Sequence, residues 1–157
     1  MQVGIDRAEQ DARALQKAAD AALAKEFSDL RSSVEAIVTQ LGALTDLVAS
    51  RARFADLVVL AKPYGSGGGA ESEAVIEAAL FDGKAPVLVL PAKGLGEHAI
   101  PRRIVLAWNQ SAEAMVAARQ ALPFLKAADV VDITVIDPSS QGQERSDPGG
   151  MLCQLLV

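Results

Sequence analysis

The 157-residue chain has little of what most enzymes and binders advertise. It holds one cysteine, Cys153, and one histidine, His98. A single thiol excludes an internal disulfide framework and fits a reducing compartment. A single histidine in a glycine-containing segment cannot orient a serine nucleophile, so a Ser-His-acid set is excluded. It also has no neighbouring His or Cys with which to share a metal, and no metal site is expected. A basic surplus is missing: the formal net charge is −5 and the isoelectric point is about 4.9. Nucleic-acid binders begin from a basic patch, so nucleic acid is not an expected partner. No apolar run approaches the ~20 residues that cross a bilayer. Met1–Asp6 lacks the basic start and apolar stretch of a secretory signal. The expected location is the cytoplasm, with no membrane partner. Aromatic residues make up only 4%.

What is present is Ala, Val and Leu, within a 50% hydrophobic composition. Small and branched side chains suit helices packed on a buried parallel sheet. Ile5, Ala8, Ala12, Leu15, Ala19, Ala22 and Leu23 recur at three- and four-residue steps, which predicts a helix over about Asp6–Phe27. Ser33–Thr39 alternates and predicts a weak strand. Leu44, Leu47, Val48, Arg51 and Phe54 mark a short helix. Asp56–Lys62, Pro86–Pro91, Arg103–Asn109 and Val130–Asp137 are apolar runs of strand length, as expected for strands covered on both faces. Glu71 and Glu73 open a helix between the first two, with Gly83 expected as its left-handed cap. Ser111 is placed to cap another helix, which Pro123 should kink. Asp147-Pro148 reads as a helix start, with Met151, Leu152, Leu155 and Leu156 as its apolar face and Cys153 as a small core residue among them. That face is still running at Val157, which suggests a portion of a longer polypeptide.

Alternation of strands and helices predicts an α/β fold with a parallel, doubly wound sheet. Ligands of such sheets bind beyond the carboxyl ends of the strands. Ala55–Pro91 (ADLVVLAKPYGSGGGAESEAVIEAALFDGKAPVLVLP) resembles the last third of a universal stress protein domain. Arg103–Asp137 (RIVLAWNQSAEAMVAARQALPFLKAADVVDITVID) resembles the first third of another, and Asp147–Val157 the start of its second helix. The resemblance implies residues 1–91 as the back of one repeat, 92–102 as a linker, and 103–157 as the front of the next. It implies a three-layer, Rossmann-like (adenine nucleotide alpha hydrolase-like) parallel five-stranded sheet with permuted strand order. A permuted monomer would complete that sheet, since eleven extended residues reach at most ~36 Å. So would a swapped homodimer, the preferred expectation because exchange of identical elements is a low-cost route to dimers.

Two motifs carry the candidate site. Gly65, Ser66, Gly67 and Gly68 form a glycine-rich turn before a helix, where successive N–H groups can hold an anion. The bland reading is a turn on the sheet rim. ATP-binding members of the family use Gly-x-x-Gly, nine residues, then Gly-Ser or Gly-Thr. Gly65–Gly68 matches the opening, but Ala78 and Ala79 stand where the second part belongs. Glu71 and Glu73 would repel phosphate. Gly65, Gly67 and Ala70 also fit a weak dinucleotide fingerprint, without an acid after Val89-Leu90-Pro91 to hold a ribose; a P-loop is excluded because no Gly-Lys-Ser/Thr follows.

Asn109 is the second motif. It occupies the strand-end position of the family's Asp, which contacts nucleotide and metal, and Gln110 replaces a usual Gly. An amide is a poor magnesium ligand, and Asn also turns chains. Trp108 is expected to pack. The resemblance therefore implies a regulatory or binding module of the stress response, not an enzyme. Its cleft would hold adenine nucleotide (ATP) between Asn109 and the Gly loop, although the residues alone establish no cofactor. The alternative is a structural dimerisation fragment with a degenerate nucleotide site. A third is an NAD-type dinucleotide-binding enzyme.

Overall fold

A computed structural model describes residues 2–65, 69–91, 93, 101–136 and 147–156. The chain divides into two compact units, residues 1–47 and 48–157.

The first unit is dominated by α1 (Gln2–Glu26), which begins four residues earlier than its apolar spacing predicts. Ala8, Ala12, Gln16, Ala19 and Leu23 form a half-buried stripe at helical steps. Leu15 lies off this stripe and is exposed. The strand expected at Ser33–Thr39 is not formed: residues 31–40 have no regular structure. A strand needs a ladder partner, and the described residues of this unit include no other strand. The Val34 carbonyl instead accepts a bond from Gln16 Nε2 at 2.9 Å. Helix α2 (Leu41–Ala52) starts in this unit and ends in the second.

The second unit is mixed α/β. It holds β1 (Val58–Ala61), α3 (Ala70–Glu77) running into a π-helical turn (Ala78–Asp82), and β2 (Val87–Leu90). Then come β3 (Arg103–Ala107), α4 (Ala112–Gln120), α5 (Leu122–Ala127), β4 (Val130–Thr134) and α6 (Gly150–Leu156). β1 pairs in parallel with β2, Val58 opposite Val87 and Ala61 opposite Leu90. β3 pairs in parallel with β4, Arg103 opposite Val130 and Ala107 opposite Thr134. The described strands thus make two separate two-stranded ladders, not one five-stranded sheet. Nor are β1 and β3 covered on both faces. β1 and β3 alternate between half-buried and exposed residues, as strands with one packed face do.

Each ladder has its own small core. Ala52, Ala79 and Ala85 pack with Val48, Val58 and Val87 under the first. Trp108, Ala118 and Leu152 pack with Leu106, Ile133, Val135 and Leu156 under the second. Alanine at the first core's centre lets backbones approach closely. Gly83 belongs to this approach. Its φ is −76°, so it is not the left-handed cap; the following Lys84 takes the left-handed conformation, with φ 57°. A Cβ on Gly83 would stand 2.6 Å from the Ala52 Cβ and 2.7 Å from the Ala79 carbonyl oxygen. The need for glycine here is steric, not conformational.

Pro123 does not kink one helix but separates two. α4 ends at Ala121, and Pro123 falls in the first turn of α5, where its missing N–H costs nothing. The Phe124 and Leu125 amides restart the pattern on the Ala121 carbonyl, at 2.9 and 3.0 Å. In α6, Leu152 is buried and Leu156 packs beside it. Met151 and Leu155 stay exposed. Cys153 is exposed too, so it is not the core residue its neighbours suggest. The helical step that turns Leu152 inward turns position 153 outward.

At the start of the second ladder Arg102 pairs with Asp129 at 2.5 Å and Arg103 with Asp132 at 2.6 Å. The hydrogen bond from Arg103 holds the Asp132 carboxyl below its ordinary value, and the two charges attract in the same sense. The same bond raises the Arg103 pKa.

Gly83→Ala should destabilise the protein by about 1–3 kcal/mol, the usual cost of overpacking. Gly42→Ala, with nothing within 4 Å, should instead stabilise by about 0.4–1 kcal/mol; urea unfolding of both variants checks the contrast. Asp132 has a lowered folded-state pKa, so its contribution is present above the unfolded value and is lost as pH falls through the folded one. Wild-type stability should therefore fall more steeply than that of Asp132→Asn as pH drops below 3.8, the ordinary value. Melting curves across that range read the difference.

Candidate functional site

The turn after β3 is built by side chains. The Trp108 amide closes the ladder on the Thr134 carbonyl at 2.8 Å. Asn109 Oδ1 then accepts the Ser111 N–H at 3.0 Å, the self-bonding by which Asn turns a chain. Gln110 sits in the left-handed region, φ 63°, where the β-carbon of most residues is strained. Its side chain is held down: Nε2 donates to the Pro148 carbonyl at 3.3 Å. The same carbonyl accepts Trp108 Nε1–H at 3.1 Å. Ser111 Oγ accepts the Ala114 N–H at 3.0 Å and caps α4. Four consecutive residues, 108–111, are thus fixed between a ladder and the approach to α6. The approach itself is a tight turn. The Gly150 amide bonds the Asp147 carbonyl at 3.3 Å, and a Cβ on Gly150 would lie 2.7 Å from the Asp147 Cγ. Helix α6 begins at Gly150, two residues after Pro148.

This turn borders a cleft of about 1040 Å³, at the upper end of ligand-pocket volumes. Trp108, Asn109, Ser111 and the first turns of α4 line one part; Leu57, Leu80, Phe81 and residues 84–88 line another. The surface is mainly hydrocarbon, with Val116, Phe124 and Ile136 contributing. Asn109, Ser111, Glu113, Gln120, Thr134 and Lys84 supply its polar groups. An apolar cleft with few polar groups suits a flat, hydrophobic ligand moiety anchored at its edge.

The other motif is not brought to this cleft among the described residues. Gly65 is exposed, with φ +97°, and is not part of the lining. Ser66, Gly67, Gly68 and His98 lie outside the described residues. Gly69 is extended and precedes α3 without a side-chain cap. Glu71 and Glu73 occupy the first turn of α3, where their charge already complements the helix dipole. Ala78 and Ala79 are buried, at 2% and 0% exposure. They are buried residues, and neither lines the cleft. Among the described residues there is no group of three or more His, Cys, Asp and Glu able to hold a metal. No described helix is long and apolar enough to cross a membrane.

Sequence reasoning missed Lys84, Leu80, Phe81 and the outward face of α4. The available signal was apolar residues on the helix side opposite the core stripe: Val116 between Met115 and Ala118, and Phe81 after the buried Ala78 and Ala79.

Ser111→Ala should cost about 1 kcal/mol through loss of the helix cap. Chemical denaturation checks this value, and an unchanged midpoint would contradict the capping role. Comparison with protein-family models, curated proteins and solved structures finds no match for this chain.

Proposed function

We propose that this chain is a binding or regulatory module of the universal stress protein type, without a catalytic centre, whose cleft takes an adenine nucleotide. The observation that carries the reading is the cleft at the carboxyl end of β3, where Trp108, Asn109 and Ser111 stand together. Ligands of parallel α/β folds bind at that end. The hydrocarbon lining suits a purine ring. With Asn109 Oδ1 committed to the Ser111 N–H, the amide nitrogen is the group that would address a base or ribose acceptor. Lys84 on the same lining offers a cation for phosphate. A doubly wound, three-layer arrangement and the cytoplasmic location belong to the same proposal, on the strength of the segments that resemble the family.

A second reading has its own support. The burial of Ala78 and Ala79 and the position of Gly65 away from the cleft lining favour a dimerisation fragment whose nucleotide site has degenerated.

Thermal unfolding with added ligand separates the readings. A ligand at 100 times its Kd adds about 2.7 kcal/mol, which raises Tm by roughly 5–11 °C for a chain of this size. ATP with magnesium should produce such a shift. Asn109→Asp keeps the oxygen that receives the Ser111 N–H and adds a hard magnesium ligand, so it should enlarge the magnesium-dependent part. No shift at millimolar ATP in either protein would refute nucleotide binding and leave the dimerisation reading. A shift with NAD but not ATP would point to a dinucleotide site.

A further inference from the structure

Among the described residues of the cleft lining, Lys84 and Glu113 are the charged side chains. They carry opposite signs and belong to different parts of the lining. Lys84 lies just before β2, and Glu113 lies in the first turn of α4. Among the described residues neither makes an ion pair. The charges at the start of the second ladder are arranged differently, with Arg102 and Arg103 each matched by an aspartate.

Local structure fixes where Glu113 stands. Ser111 Oγ accepts the Ala114 N–H at 3.0 Å, and the Ser111 carbonyl accepts the Met115 N–H at 3.1 Å. The first turn of α4 is held by these bonds. Glu113, Val116, Ala117 and Gln120 then follow at three- and four-residue steps, which puts them on one helical face. All four line the cleft, while Ala118, on the opposite side of the helix, is 1% exposed. The cleft-facing side of α4 therefore begins with a carboxylate and continues in hydrocarbon.

A carboxylate repels phosphate, and from a nucleotide it can only accept hydrogen bonds. The donors of ATP are the two ribose hydroxyls and the exocyclic amine. The hydroxyls are adjacent, so the two oxygens of one carboxylate can take both. In dinucleotide sites an acidic residue commonly holds the ribose in this way. No acid follows Val89-Leu90-Pro91 to do so here, but Glu113 reaches the cleft from another element. We propose that Glu113 is the specificity-determining residue of this cleft: it accepts the ribose hydroxyls and makes the site select ribonucleotides. The inference rests on the adenine-nucleotide reading. It divides the ligand between the two charges, phosphate to Lys84 and the ribose diol to Glu113, with the purine on hydrocarbon.

Calorimetric titration with ATP and with 2′,3′-dideoxy-ATP, at one magnesium concentration, tests this division. Wild-type protein should bind ATP about tenfold more tightly or better, the ratio that a hydrogen bond to a charged group supplies. Glu113 is exposed, so Glu113→Ala leaves the core intact. That variant should bind ATP about tenfold more weakly, bind the dideoxy nucleotide no more weakly, and so lose the preference. Lys84→Gln should weaken both nucleotides alike and keep the ratio. A merely structural role for Glu113 would also weaken both alike, so the ratio isolates the ribose contact. Equal wild-type affinity for the two nucleotides, or a preference that survives in Glu113→Ala, would overturn the proposal and leave nucleotide binding standing. Binding of neither nucleotide to the wild type would refute the adenine-nucleotide reading, and the proposal with it.

Discussion

The backbone of a parallel strand has hydrogen-bonding groups on both sides, and a two-stranded ladder satisfies only one of them. That constraint governs the second unit of this protein. Val58, Leu60 and Lys62 reach β2, while Leu57, Val59 and Ala61 reach outward. The same holds for β3, where even-numbered residues bond β4 and Arg103, Val105 and Ala107 do not. Half of each strand's polar groups are left to water or to another strand. The alternating exposure of β1 and β3 has a separate cause: each of these strands packs one face on its core.

The cores follow from it. A complete doubly wound sheet buries long aliphatic runs on both faces. Here each ladder covers one face, and the buried residues are few and mostly small: Ala52, Ala79 and Ala85 in one core, Trp108, Ala118 and Leu152 in the other. Close approach of Gly83 to Ala52 and Ala79 makes the first core tight. The indole of Trp108, fixed by its bond to the Pro148 carbonyl, organises the second. The hydrocarbon that neither core covers, including Leu57, Phe81 and Val116, lines the cleft.

Much of the local structure is legible in the sequence. Apolar runs place four strands within a few residues of their ends, and Ser111 announces its cap. What fails does so for tertiary reasons. Ser33–Thr39 has a strand's alternation but no partner strand, and Gln16 takes the Val34 carbonyl instead. Gly83 is glycine for lack of space, which no local signal reveals. Cys153 and Leu152 are adjacent apolar residues, and only the direction of α6 decides which is buried. Of the candidate site, Asn109 lies on the cleft, yet its oxygen serves the turn. The contributions of Lys84 and Phe81 come from a π-helical turn and a left-handed residue, which hydrophobic periodicity does not encode.

The central claim is that β1 and β3 each carry an open edge, away from β2 and β4, in the single chain. Amide hydrogen exchange, resolved by residue in dilute protein, tests it most directly. Protection should alternate: the Val58, Leu60 and Lys62 amides slow, Val59 and Ala61 fast, and in β3 the Ile104, Leu106 and Trp108 amides slow, Val105 and Ala107 fast. Uniform protection of all these amides at every dilution would contradict the account, because the ladders would then be joined within one chain.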